Sequence, residues 1–545
     1  MLKRKSKRKI TSIIPAILMM ALLFVSCGSG KKGTPSAAMP SSAPAKYTAT
    51  DSVLSGEEGM SGLKYSDGFS AEIGVDYESL PEFNTEEYNA IVERGFVSPL
   101  SAPLSTFSID VDTASYANVR RYLMNGGYVP PDAVRIEEMI NYFDYDYPKP
   151  TGDVPFSVTT ELGTCPWNEE NKLLLIGLKG REVVMDDIPP SNLVFLLDVS
   201  GSMMSENKLP LVKEAFLLLV ENLRPYDRIS IVTYAGSDSV VLEGATGDEK
   251  LVISQAIQDL EAGGSTAGSK GIKTAYQIAR KYFIKDGNNR VILATDGDFN
   301  VGVSSEGELV RLIEKERDKG IFLSVLGFGT GNIKDNKMEA LADNGNGNYA
   351  YIDTILEARK VLVEEMGGTL LTIAKDVKLQ VEFNPAKVKG YRLVGYENRM
   401  LNDEDFDDDT KDAGEMGAGH RVTALYEIIP ADSAAEVGST DLKYQQSQVV
   451  ESDEWLNIKI RYKDPDQDQS KLLSLAVDSS QESHITSESF DFASGVAEFG
   501  MLLRDSQFIG NGSYENIYGR IVGLSSAKTD PYKAEFLSLV EMLME

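Results

Sequence analysis

The sequence predicts an α/β fold: a doubly wound, mostly parallel sheet inserted in, or flanked by, a β-rich sandwich-like domain with extra helices. Three observations predict it. Between residues 192 and 328, strand-like runs alternate with helical stretches, as a sheet with crossover helices requires. The first of those runs, Leu193-Val194-Phe195-Leu196-Leu197, is continuously apolar, as a strand buried on both faces must be. After this region the apolar period falls to two, in Val377, Leu379, Val381 and Phe383 and again in Leu456, Ile458, Ile460 and Tyr462.

Taken from the start, six cations (Lys3, Arg4, Lys5, Lys7, Arg8, Lys9) precede an apolar run from Ile10 to Val25, the pattern of a secretory signal. The run is short for a membrane-spanning helix. Phe24-Val25-Ser26-Cys27 resembles a bacterial lipobox, with Phe24 where leucine is usual, and that resemblance makes Cys27 the expected lipid attachment point. Gly28 to about Gly62 is rich in Gly, Ser, Pro, Ala and Lys and reads as a disordered tether.

Charge and composition narrow the function. The chain carries a net −29, and losing the six cations of the signal would take it near −35. Such a surface repels nucleic acid and anionic headgroups, so membrane contact is expected through the lipid. Cys27 and Cys165 are the only cysteines, which leaves Cys165 as an apolar filler. With only His420 and His484, a histidine-rich zinc site is excluded and little remains for a serine–histidine–aspartate triad. The chain is expected not to be an enzyme.

The globular part begins near Phe96. Thr106 to Asp112 alternates like a strand, Thr113 to Met124 reads as a helix stopped by Gly126-Gly127, and Pro130-Pro131-Asp132 opens another through Asn141. Strand-like runs follow between Phe156 and Val184. Helices are then expected over 209–223, 269–283 and 306–319, with strands over 192–197, 228–234, 291–294 and 321–328. Near the end, Phe492, Val496, Phe499 and Leu503 form a helical stripe suited to core packing.

Sites in such sheets form at the carboxyl ends of the strands. The first strand runs into Asp198-Val199-Ser200-Gly201-Ser202, and the strand from Val291 runs into Thr295-Asp296-Gly297. Between them lies the loop Gly263-Gly264-Ser265-Thr266-Ala267-Gly268. Two carboxylates on different strands with hydroxyls beside them suggest an oxygen-lined cation pocket. Gly264 to Gly271 lacks the Gly-Lys-Ser/Thr of a phosphate loop, and Gly327-Phe328-Gly329-Thr330-Gly331 lacks dinucleotide spacing, so no nucleotide is expected. The acidic run Asp403 to Asp409 lacks the glycine and terminal glutamate of a calcium loop and reads as solvated.

D-x-S-x-S, a loop threonine and a strand-end T-D-G together resemble the metal-ion-dependent adhesion site of the von Willebrand factor type A family, whose fold is Rossmann-like. The resemblance implies one divalent cation, Mg²⁺ first with Mn²⁺ or Ca²⁺ as alternatives, held by Asp198, Ser200, Ser202, Thr266 and Asp296. It also implies a protein partner whose Asp or Glu completes the shell. Ser105 to Tyr116, Pro130 to Glu138 and Asp412 to His420 resemble segments of a bacterial exported subfamily of this family.

The expected organisation is thus a lipoprotein signal peptide (1–26), a tether (27–62), an N-terminal segment with helices and strands (63–190), the type A domain (191–368) and a C-terminal β-rich domain ending in helices (369–545). The expected role is partner binding in the bacterial cell envelope, at the periplasmic or surface face of the outer membrane. An assembly or scaffold protein with a mainly structural metal is the alternative, and a metal-assisted hydrolase the third reading.

Overall fold

The computed structural model describes residues 85–544 except 185–186, 236, 265–267, 298–305, 412 and 439–448. The signal segment, Cys27, the tether and Thr266 lie outside the described residues. Among those described, no helix is long and apolar enough to cross a membrane.

The strands, in chain order, are β1 (Leu104–Ser108), β2 (Phe156–Thr164), β3 (Lys172–Gly180), β4 (Ser191–Asp198), β5 (Arg228–Ala235), β6 (Ser237–Thr246), β7 (Asn288–Thr295), β8 (Ile321–Phe328), β9 (Tyr349–Ile352), β10 (Thr372–Phe383), β11 (Val388–Leu393), β12 (Gly414–Gly417), β13 (Arg421–Pro430), β14 (Glu454–Lys463) and β15 (Lys471–Asp478). The helices are α1 (Ala114–Met124), α2 (Ile136–Asn141), α3 (Leu209–Glu221), α4 (Lys250–Gln258), α5 (Gly268–Lys281), α6 (Glu306–Arg317), α7 (Asp335–Asn344), α8 (Ile355–Arg359), α9 (Met366–Leu370), α10 (Glu488–Arg504), α11 (Tyr514–Ile521), α12 (Ser525–Thr529) and α13 (Pro531–Met542).

The central sheet runs β6-β5-β4-β7-β8-β9. All neighbours pair in parallel except the edge strand β6, which returns antiparallel to β5. Every residue of β4 is buried, as its unbroken apolar run demands. One face of the sheet packs Phe195 and Leu197 against Val212, Phe216 and Leu219 of α3. The other packs Val194, Leu196 and Leu293 against Ile272, Tyr276 and Ala279 of α5. The chain leaves β4 towards β5 on one side and later places β7 on the other. The sheet therefore switches direction between β4 and β7, where adjacent loops part and leave a crevice.

Two further sheets enclose a sandwich core. Their orders are β1-β10-β14-β15, with β12 also on β10, and β11-β13-β3-β2. Each sheet mixes strands from before and after the α/β region: β1 pairs with β10, and β3 with β13, both antiparallel. Phe107, Leu174, Ile176, Leu379, Val381 and Ile458 share the core between them. The α/β domain is thus inserted into a sandwich built by both flanks. Its two ends meet, because the Gly180 N–H donates to the His420 carbonyl while the Ala418 N–H donates to that of Leu371.

The strand expected over 106–112 ends at Ser108. There the Ser108 hydroxyl accepts the Asp110 and Gly414 amides, and Asp112 instead accepts the Tyr349 amide at 2.9 Å. Pro130-Pro131 opens only a single 3₁₀ turn, Pro131–Ala133, since Arg135 is extended before α2 begins. The C-terminal helices cover the outer face of the second sheet, where Phe143, Trp167, Phe492, Phe499 and Phe536 interleave. Ser487 caps α10 by accepting the Phe490 amide, and Asp530 caps α13 before Pro531. In the acidic run, Phe406 is buried and Lys378 donates to the carbonyls of Asp405 and Asp408, so the backbone of this loop holds a lysine.

Buried ion pairs lock the inserted domain to its host. Arg120 of α1 pairs with Asp353 and Glu357 of the inserted domain and with Glu535 of α13. Arg135 and Arg399, from the two flanks, both reach Glu339 of α7. Residues 85–87 form a short strap along the turn after β8. The Thr85 and Glu87 amides donate to Gly331 and Ile333, and the Glu86 carboxylate accepts the Gly331 amide and pairs with Arg121.

Candidate functional site

The crevice between β4 and β7 collects the residues expected to hold a cation. Asp198 ends β4 and Asp296 directly follows β7, and both side chains are buried. Beyond Asp198 the chain makes a 3₁₀ turn, Gly201–Met204, anchored by the buried Met203. That turn brings Ser200 and Ser202 back over the strand end with their hydroxyls 2.9 Å apart. Ser200 is buried and Ser202 lies at the exposed mouth.

The glycine loop is fastened to this turn. The Gly263 amide donates to the Val199 carbonyl at 2.8 Å, and the Gly201 amide donates to that of Gly264 at 3.1 Å. Gly264 takes φ +84°, where a Cβ would also press on the Ala235 carbonyl at 3.3 Å, so glycine is required. These contacts bring the described edge of the loop against Ser200-Gly201; Thr266 itself is outside the described residues.

The electrostatics are uneven. Asp198 Oδ1 accepts the Ser200 amide at 2.8 Å, while its Oδ2 is buried with no donor in hydrogen-bonding geometry. Burial pushes this carboxyl up to about 6; the Ser200 donors and the nearby Tyr234 hydroxyl oppose the rise, and the Asp296 charge adds to it. Asp296 Oδ2 accepts from the Lys208 ammonium at 3.0 Å, in a pair shielded from solvent. The lysine stem runs across Gly329, whose φ is +80° and where a Cβ would sit 2.4 Å from Lys208 Cε. The glycine-rich turn after β8 thus makes way for a lysine.

Lys208 was not among the residues expected here, yet the sequence carried a signal. Lys208, Val212, Ala215 and Leu219 share one helical face, and all four are buried. A lysine on an apolar stripe needs a buried partner, and Asp296 is that partner.

The donor set fits a hard cation. Among the described residues no three histidine, cysteine or carboxylate side chains gather in metal-binding geometry. What converges is two carboxylates and two hydroxyls, an all-oxygen set suited to Mg²⁺, Mn²⁺ or Ca²⁺. The unpartnered Asp198 Oδ2 is the oxygen such an ion would satisfy.

Comparisons with known proteins follow the same division. The family model "von Willebrand factor type A domain" matches residues 192–364, "von Willebrand factor" matches 82–175, and "Uncharacterized protein YfbK, C-terminal" matches 368–545. A relative in Escherichia coli (strain K12), "Uncharacterized protein YfbK", is 43% identical over 451 residues, which is 81% of this chain and 78% of the relative. The human "Inter-alpha-trypsin inhibitor heavy chain H3" is 28% identical over 196 residues, covering 34% of this chain and 22% of that protein. Among solved structures, a "von Willebrand factor type A from Catenulispora acidiphila" aligns with TM-score 0.39 at 16% identity, over 65% of this chain and 80% of that one.

Proposed function

Since the chain belongs to the von Willebrand factor type A family, in the branch that includes the Escherichia coli YfbK protein, we propose that it is a lipid-anchored envelope protein that captures a protein partner through a divalent cation. Asp198, Ser200, Ser202, Thr266 and Asp296 would hold the ion, Mg²⁺ before Mn²⁺ or Ca²⁺. An Asp or Glu of the partner would complete its shell. Cys27 would carry the lipid, at the periplasmic or surface face of the outer membrane.

The observation that carries this reading is the buried Asp198 Oδ2, left without a donor beside a second carboxylate at the switch point of the sheet. Lys208 refines the charge balance. Two aspartates would neutralise a dication and leave little attraction for a carboxylate; the ammonium on Asp296 restores one positive charge. A chain at −29 otherwise repels acidic groups, so the attraction must be local. The same pair argues against a mainly structural metal, since it already neutralises one buried aspartate from within the chain.

The test is a pull-down from envelope extract with Mg²⁺ and then with chelator, comparing the native protein with Asp198→Ala. Capture should require both the ion and Asp198. Capture that survives chelation would overturn the reading.

A further inference from the structure

At the opposite pole of the inserted domain lies a second feature, a partly open cavity of about 1050 Å³ between the sheet's amino-terminal edge, the end of α7, residues 360–369, the sandwich and the start of α13. Its volume is that of a site for a small organic molecule. Arg290, the third residue of β7, lines it and is 4% exposed.

Arg290 is unusual among the cavity's cations. Lys360 pairs with Glu365, Arg399 with Asp112, Arg421 with Asp144 and Arg317 with Asp318. Arg290 has no ion pair among the described residues. It donates to the Ser324 hydroxyl at 2.7 Å and the Thr369 carbonyl at 2.8 Å, and it lies over the Phe322 ring. Its Nε is buried without an acceptor. A guanidinium has five donors and only two are used, so most of its hydrogen-bonding capacity is unspent on the protein. Burial pulls its pKa down to about 10, and the charge of Glu415 alone opposes this.

The rest of the lining restricts what can meet it. Carboxylates outnumber cations nine to five, and four of the five cations already hold a carboxylate. A dianion such as phosphate would meet net repulsion, whereas a single carboxylate suits the one uncompensated guanidinium and an ammonium on the same ligand suits the acidic remainder. We propose that this cavity binds a zwitterionic small molecule, an amino acid or short peptide, whose carboxylate is held by Arg290. The site is separate from the cation crevice: Arg290 and Asp296 are six residues apart along one strand, roughly 20 Å end to end.

The test uses the full chain, the proteinogenic L-amino acids, their alanyl dipeptides and the matching C-terminal amides, in thermal-shift and calorimetric titrations. At least one free acid should bind and raise the melting temperature, while its amide does not. Arg290→Gln should weaken that binding about ten- to hundredfold. Asp198→Ala should leave it unchanged, which separates failure here from failure at the cation site. Equal binding of acid and amide, or no binding by any free acid, overturns the proposal. Should Arg290→Gln not fold, the native protein soaked with the best acid decides: density for the carboxylate against Arg290 supports the assignment, and density elsewhere overturns it.

Discussion

The Lys208 ammonium reaches Asp296 Oδ2 at 3.0 Å, placing a cation of the chain itself on one of the two buried carboxylates at the switch point. It therefore stands where a divalent ion would exert its own pull. Lys208→Met should tighten Mg²⁺ binding by roughly ten- to hundredfold, because a positive charge beside the ion is removed. It should also weaken capture of an acidic partner. Calorimetry with Mg²⁺ checks the first effect; weaker Mg²⁺ binding in Lys208→Met would mean that the lysine orients Asp296 for the metal and does not compete with it.

Gly329 lets that lysine pass. Gly329→Ala puts a Cβ 2.4 Å from Lys208 Cε at a backbone φ of +80°. The expected loss of stability is about 2 kcal/mol, from strain and overpacking together. Combining it with Lys208→Ala should recover the steric part and leave the backbone part, about 1 kcal/mol. Denaturant melts of the single and double variants measure both.

Asp198→Ala should abolish detectable Mg²⁺ binding while the chain still folds. The strand beneath is held by Phe195 and Leu197 on one face and by Val194 and Leu196 on the other, each worth about 1.5–3 kcal/mol of burial. Thr266→Ala should weaken the ion less. Unchanged affinity in Asp198→Ala would place the site elsewhere.

Around Arg135 and Arg399 six carboxylates (Asp110, Asp112, Glu138, Asp335, Glu339, Asp343) share two guanidiniums. Burial pushes Glu339 from its ordinary 4.5 up to about 8, against the pull of the two arginines. A carboxyl raised on folding contributes stability that is full below about 4.5 and is lost as pH rises through about 8. Asp335 and Asp343, both pushed up to about 6, act in the same direction. Stability should therefore fall from pH 3.8 to about 6 on account of the two aspartates and from 4.5 to about 8 on account of Glu339, and Glu339→Gln should flatten the latter fall by on the order of 2 kcal/mol. Thermal melts across this range test it; an identical slope in both proteins would rule it out.

Cys27→Ser should release the protein from membranes or block its processing. Fractionation reads this directly, and a variant retained and processed like the native chain would refute lipidation at Cys27.

Much of this architecture was legible in advance, for reasons that differ by element. Asp198 and Asp296 could be found because an apolar run ends in an acid only where the chain leaves the core. The inserted α/β domain could be inferred because alternation of period two resumes after it. The pairings could not be read: Phe107 faces Leu379 across 271 intervening residues, and period two says which face is buried without saying which strand lies beside it. Lys208 was visible as a misplaced cation on an apolar stripe, but its partner depends on the turn at Gly329. The cavity at Arg290 joins residues from both flanks and the insert, so no single stretch of sequence outlines it.

The strap at Thr85–Glu87 has a mechanical meaning. Force arriving along the chain from the amino-terminal side meets the Gly331 and Ile333 carbonyls before it reaches the sandwich. The same turn passes close by Gly297, where an added Cβ would lie 2.3 Å from the Asn332 carbonyl and 2.9 Å from Ile333 Cα, and Gly297 follows Asp296. A load pulling the strap away would peel it from the turn and unseat the backbone behind Asp296, while the sandwich strands stay in register. The strap and the backbone behind Asp296 thus share one joint, the turn at Asn332–Lys334.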